Sequence, residues 1–207
     1  TVALKINNRV TYALEGSIYD CGTAVDWAVR DLGLAKSPHE LDEIAGALGD
    51  NNGVYFVPAF SGLGCPYWNM DAFGLITGLT RATNKKHIAR AVLEGIAYQV
   101  YDATREFSHI TKHKIKTMRA DGGVTNNNFL MQFQADILNC EINLSNSEST
   151  VLGAIYLAGL ASGAYNSIEA IKKQIETTKS FSPCGSATSI KPALTGWANA
   201  VRKCNLR

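Results

Sequence analysis

The passage from Ile115 to Leu138 constrains the fold of this chain more than any other. A strand-like stretch ends at Asp121, and Gly122 and Gly123 follow. A polar run, Val124-Thr125-Asn126-Asn127-Asn128, then leads into residues of helical period from about Asn127 to Leu138. Paired glycines let the backbone turn tightly and leave it bare of Cβ atoms, so a flat ring or a phosphate can come close. A helix that opens directly afterwards is expected to aim unpaired N–H groups and its positive dipole end at whatever occupies the turn. Strand, Gly-Gly, helix is a recurrent way for α/β proteins to hold a nucleotide. It is also a common plain turn, so the remainder of the chain has to decide.

The bulk properties exclude several classes. Apolar residues make up 46% and charged residues 18% of 207 positions, the composition of a globular protein with a sizeable core. A formal charge of +2, with scattered lysines and arginines, gives no footprint for nucleic acid. No apolar stretch is long enough to span a bilayer as a helix. Cys21, Cys65, Cys140, Cys184 and Cys204 are odd in number, widely spaced and free of C-x-x-C. That pattern speaks against a disulfide framework and a zinc site and predicts a reducing, cytoplasmic compartment. His109 and His113 stand four apart, but no Glu or Cys completes a metal set near them, so a solvated helix end or loop is expected. The opening Thr1-Val2-Ala3-Leu4 lacks a starting Met and a signal-peptide pattern, and it reads as the middle of a sheet. The chain is expected to be a piece of a longer polypeptide.

Along the chain the pattern is mixed α/β with helices outweighing strands. Strands are predicted at Val10–Leu14, Val54–Pro58, Gly74–Leu79 (as a strand or strand-like turn) and Ile142–Leu144. A helix is expected from Gly22 to Leu32 with Gly33 as its stop, and another from the Ser37-Pro38-His39-Glu40 capping box to about Leu48. After Asn84, apolar residues recur at three and four from Ile88 to Ala103, which predicts a long helix. Ser149-Thr150 caps a helix rich in small residues (Gly153, Ala154, Ala158, Gly159, Ala161), a pattern suited to tight core packing or to a hinge between lobes. Asn166-Ser167 caps Ile168–Ile175, Ser180–Thr188 reads as loop, and Thr195–Cys204 reads as a terminal helix.

Five stretches, in this order, resemble the C-terminal half of the FGGY carbohydrate kinases. They are Tyr12–Ile18; the loop Pro58–Trp68, with cysteine at 65 where alanine is usual; Gly74–Leu79 continuing through His87-Ile88 to Ala91–Glu94; Asp121-Gly122-Gly123 with Asn127–Gln132; and Thr150–Gly159. The likeness runs from Tyr12 to Tyr165, with a weaker tail through Phe181, Pro183, Trp197 and Val201.

The resemblance implies an α/β, ribonuclease-H-like (actin-like ATPase) lobe with a mixed sheet flanked by helices. Residues 1–207 would form the C-terminal, nucleotide-binding lobe, its core at about 10–165, with C-terminal helices and a tail over 166–207. The substrate lobe would lie outside this chain. The implied activity is ATP- and Mg²⁺-dependent phosphorylation of glycerol, the acceptor favoured by the Pro58–Trp68 loop, giving glycerol 3-phosphate. Another polyol or ketose acceptor stays open, as does a degenerate kinase serving as a regulatory or scaffolding protein. A homodimer or homotetramer is implied, without nucleic acid or membrane. Carried over residue by residue, the cofactor-binding positions are Gly22, Asp26, Gly123 and Asn127; each glycine also has a plain turn role, and Asn127 a plain capping role. No catalytic residue or metal ligand is expected here, since the family's aspartate base lies upstream, and Asp121 reads as a loop-ordering residue. Three departures stand out: Asp26 in place of glutamine, Phe73 in place of arginine and Ile155 in place of alanine.

Overall fold

The computed structural model describes residues 1–6, 8–145, 149–185 and 187–206. Its spine is a long helix whose start is written locally. Asn84 accepts the N–H of Lys86 at 2.9 Å, while Nδ1 of His87 accepts the N–H of Asn84 at 3.1 Å, a capping box with histidine in the place usual for an acid.

The elements run in order as β1 (Val2–Ile6), β2 (Arg9–Tyr12), α1 (Gly22–Arg30), α2 (Pro38–Gly46), β3 (Tyr55–Val57), β4 (Leu75–Thr77) and α3, the spine (Lys85–Thr111). β5 (Thr117–Ala120), α4 (Asn128–Leu138), β6 (Glu141–Leu144), α5 (Ser149–Ser162), α6 (Ile168–Lys172), β7 (Lys179–Phe181) and α7 (Ala187–Cys204) complete the chain.

Every residue of α3 from Ala89 to Gln99 is buried, so the helix is covered on all sides. β3 lies against it without an intervening side chain: a Cβ on Gly95 would stand 2.3 Å from the Phe56 carbonyl oxygen. β4 pairs antiparallel with β3, Ile76 opposite Phe56. α1, α2, α4 and α7 close around this centre. A second sheet has the order β5-β6-β7, with β5 and β6 parallel and β6 and β7 antiparallel, so it is mixed as expected. α4 forms the crossover that parallel strands require. β1 and β2 make a separate antiparallel hairpin.

Three expectations change. The stretch read as loop from Ser180 begins inside β7, whose residues are fixed by pairing with β6, Phe181 opposite Ile142. A three-residue strand carries too little pattern to be seen alone. The terminal helix starts at Ala187 rather than Thr195 and carries Pro192 inside it. Ile190, Ala193 and Leu194 pack against the core and outweigh the local cost of the proline. The small residues of α5 are not used for core packing. None of that helix is buried, Val151, Ile155 and Leu157 are exposed, and the close neighbour of Gly159 is the ring of Tyr165.

Two buried polar groups tie the layers together. Asp102 of α3 accepts from Tyr67 Oη and from Trp197 Nε1, both at 2.6 Å, which joins the 61–69 loop and α7 to the spine. Burial pushes its carboxyl above the ordinary range. Two to three turns earlier in the same helix, Arg90 Nε donates to Glu94 at 2.6 Å, and Glu94 also accepts from Asn51 Nδ2 at 2.7 Å. Arg90 Nη1 reaches the carbonyls of Ala45 and Leu48, at the end of α2, and its guanidinium stacks 4.7 Å from the ring centre of Phe129 in α4. With 11% and 4% side-chain exposure, the pair cannot lean on water. Glu94→Ala strands a buried cation and is expected to lower unfolding free energy by about 3–5 kcal/mol. Urea denaturation measures this, and a loss under about 1 kcal/mol would show that the pair does not hold the layers.

Candidate functional site

The strand β5 ends at Ala120, and the chain turns through Asp121 and Gly122. Gly122 takes φ 95°, a conformation L side chains rarely adopt, and its carbonyl accepts both the N–H and the hydroxyl of Thr125, at 3.0 and 2.7 Å. A single 3₁₀ turn, Gly123–Asn126, leads to Asn127 and α4. This turn forms one wall of a cavity of about 620 Å³, through Gly123, Val124, Asn126 and Asn127. Gly22, Val25 and Asp26 of α1 form a second wall, and Ser37, Pro38 and His39 at the start of α2 a third.

All four residues singled out as cofactor-binding, Gly22 and Asp26 in one segment and Gly123 and Asn127 in another far along the chain, line this one cavity. A Cβ on Gly123 would meet no atom within 4 Å, and one on Gly22 would meet only Val124 Cγ2 at 3.8 Å. Protein packing therefore does not demand a glycine at either place, and the bare main chain is turned toward open space.

Asn127 is 8% exposed and divides its amide between two directions. Oδ1 accepts the N–H of Leu130 at 2.7 Å as the N-cap of α4. Nδ2 is buried and has no acceptor among the described residues. Leaving such a donor unpaired costs about 1–3 kcal/mol.

The expectation that α4 aims free N–H groups into the turn does not hold. Asp42 of α2 accepts from the N–H of Asn128 at 3.1 Å and of Phe129 at 2.7 Å. Leu130 is taken by Asn127 Oδ1, and Met131 bonds the Asn127 carbonyl at 3.1 Å. A protein carboxylate occupies the positive end of that helix. The open N-terminus is that of α1, where Cys21 provides no side-chain cap and no described residue accepts the N–H of Gly22, Thr23 or Ala24. Asp20, buried, accepts the Thr23 hydroxyl and the Ser61 N–H, both at 3.0 Å, and so fixes where α1 begins. Burial, with the Asp20 charge adding to it, pushes the Cys21 thiol up and keeps it protonated.

Asp26 is 56% exposed at its side chain, with Arg30 at 3.9 Å. Phe73 is exposed, and its carbonyl accepts from Cys204 Sγ at 3.0 Å. His109 is exposed on the last turn of α3 beside Glu106, and His113 is exposed just beyond. Val25, Ser37, Pro38, His39, Val124 and Asn126 are cavity residues that sequence reasoning missed; the capping box at Ser37 was visible, but not that it faces Gly123.

A family model, the C-terminal domain of the FGGY family of carbohydrate kinases, matches residues 3–162. The chain belongs to the FGGY family of carbohydrate kinases. Among its relatives, the FGGY chain is 47% identical over 204 residues to glycerol kinase of Treponema denticola, covering 98% of this chain and 41% of that protein. The crystal structure of Plasmodium falciparum glycerol kinase with ADP superposes with a TM-score of 0.88 at 36% identity, over 97% of this chain and 40% of the other. A gluconate kinase from Lactobacillus acidophilus gives 0.78 at 27% identity, over 92% and 39%. The lobe thus has the actin-like α/β fold of these kinases, and it spans about two fifths of the length of the relatives it matches. No helix among the described residues is long and apolar enough to cross a membrane.

Asp121 orders the turn rather than facing the cavity. Its carboxylate takes the Ser149 N–H at 2.9 Å at the start of α5. Hydrogen bonding from Ser149, hydroxyl first and backbone N–H with it, holds the Asp121 carboxyl below its ordinary value. The charged form is therefore the one the fold favours. The stabilisation is complete above the unfolded value, about 3.9, and is lost as pH falls through the lowered folded value. The Ser149 amide resonance is expected to titrate in that acid window, and Asp121→Asn to abolish the transition, as read by NMR.

Proposed function

We propose that this chain is the nucleotide-binding lobe of an ATP-dependent glycerol kinase, which transfers the γ-phosphoryl group of ATP to a primary hydroxyl of glycerol to give glycerol 3-phosphate and ADP. The observation that carries the reading is the convergence on one cavity of bare main chain at Gly123 and of Asn127, whose buried Nδ2 has no acceptor among the described residues. A purine is flat enough to lie along Gly123 and presents ring-nitrogen acceptors at its edge, the complement of an amide donor. The relatives named glycerol kinase, at 47% identity over nearly the whole chain, support glycerol over other acceptors.

The residues divide the work by chemistry. Asn127 and Gly123 receive the heterocycle. The open first turn of α1, with Gly22 leaving room for approach, suits the phosphate end, and Arg30 beside Asp26 offsets the anion that stands there. ATP supplies the transferable group, and the protein's part in such transfers is positioning and charge neutralisation. No group of three potential metal ligands occurs among the described residues. The ion enters this reading as the partner of the phosphate oxygens, as is usual for Mg²⁺ in phosphoryl transfer. The base that orients the glycerol hydroxyl, and the polyol pocket, belong to the N-terminal lobe outside this chain. A cytoplasmic setting follows from the same reading.

Asp26, an anion at the rim of the cavity, is the feature that favours the alternative of a kinase turned scaffold. Binding separates the two. Asn127→Asp keeps the capping oxygen but replaces the donor, and is expected to weaken ATP binding by about tenfold or more with little change in melting temperature. Gly123→Val adds a side chain where a Cβ meets no protein atom within 4 Å and is expected to do the same. Isothermal titration on the full-length polypeptide, with glycerol turnover measured in parallel, decides: unimpaired binding in both variants removes the purine assignment, and absence of ATP binding and of turnover in the unaltered polypeptide supports the scaffold. The 207-residue chain alone is expected to bind ATP more weakly and to show no multiple turnover with ATP, Mg²⁺ and glycerol.

A further inference from the structure

We propose that Asp42 is a positioning residue that orients the nucleotide by closing the positive end of α4. The inference rests on the nucleotide reading of the cavity and adds a residue and a polarity to it. α2 presents two faces in one turn: His39 lines the cavity, and Asp42, three positions on, grips α4. Its two carboxylate oxygens hold the Asn128 and Phe129 N–H groups separately, at 3.1 and 2.7 Å. The far end of α2 is held as well, by Arg90 on the Ala45 and Leu48 carbonyls, and the same guanidinium stacks on Phe129. α2 is thus fixed at both ends relative to α4, and with it the width between Pro38-His39 and Gly123–Asn127.

Two consequences follow for a ligand. The cavity keeps Asn127 Nδ2 as its buried donor at the α4 side, because Asn127 Oδ1 is spent on Leu130 and the next two N–H groups are spent on Asp42. Asp42 stands behind the cavity lining; with its carboxylate on the first N–H groups of α4, that helix end is closed to a phosphate, while the first turn of α1 stays open. The uncharged purine is the part of the nucleotide that α4 accepts. Asp42 touches neither phosphate nor reacting atoms; it acts through the helix it caps.

The test uses the full-length kinase with Asp42→Ala, Asp42→Asn and Asp42→Glu, reading KM for ATP, kcat, and inhibition by adenosine and by inorganic tripolyphosphate. Loss of the carboxylate is expected to raise KM for ATP about tenfold with kcat within twofold, and to weaken adenosine inhibition in parallel. Tripolyphosphate inhibition is expected to tighten severalfold, since the α4 N–H groups become free for an anion. Asp42→Asn, keeping one acceptor, is expected to fall between, and Asp42→Glu to restore part of the wild-type pattern. A merely structural loosening would weaken both inhibitors together, and that result overturns the proposal, as does an unchanged KM for ATP. Should Asp42→Ala fail to fold, the same opposed changes in Asp42→Asn carry the test. If Asn127→Asp weakens ATP while the Asp42 series is flat, only this inference fails; if Asn127→Asp leaves ATP binding intact, the purine site itself fails.

Discussion

A single guanidinium, that of Arg90, stands where three helices meet, and the rest of the lobe is arranged around satisfying it. Its charge is met by Glu94, its N–H groups by the carbonyls of Ala45 in α2 and Leu48 just beyond it, and its flat face by Phe129. A lysine would offer one charged point; only a planar, multi-donor group can meet a carboxylate, a helix C-terminus and an aromatic ring together. Replacing the pair with apolar residues of the same volume would leave the α2 carbonyls without a donor. The pair therefore serves geometry as much as stability: it sets where α2 ends, and so where the cavity wall begins.

From that anchor the site follows by ordinary structural chemistry. α2 is placed, α4 is capped by α2, and the 3₁₀ turn between β5 and α4 has its main chain exposed on one side. Asp121 fastens the other side of the turn to the start of α5. The cavity is thus bounded by groups that are each held by a partner outside it, the arrangement a binding site needs in order to be preformed. Asp20 does for α1 what Asp42 does for α4, with one difference: it bonds the Thr23 hydroxyl and the Ser61 N–H and leaves the first N–H groups of α1 open.

Much of this was legible in the chain itself. The start of α3 at Asn84, the stop at Gly33 with φ 59°, the Ser37 cap and the turn at Gly122 are local events, and local residues specify them. The four positions proposed to receive the cofactor were reached through a family resemblance carried by contiguous motifs. What stayed hidden depends on contacts between distant segments. Asp42 reads as one more acid on a helix face until it is found holding N–H groups 86 and 87 positions away. For that reason the sequence pattern around Asn128 predicted an open helix end that the fold closes. β7 and the first turns of α7 were missed for the same cause, since their conformation is decided by β6 and by core packing rather than by their own residues.

Gly95 imposes a limit of another kind. Because β3 rests directly on the backbone of α3 at that point, their spacing is set by main chain, and any side chain at position 95 would force the two apart. Efforts to reshape the cavity by directed evolution will gain little from the interior. They belong at the rim, where Asp26 and His39 stand in solvent and can be replaced without moving the frame.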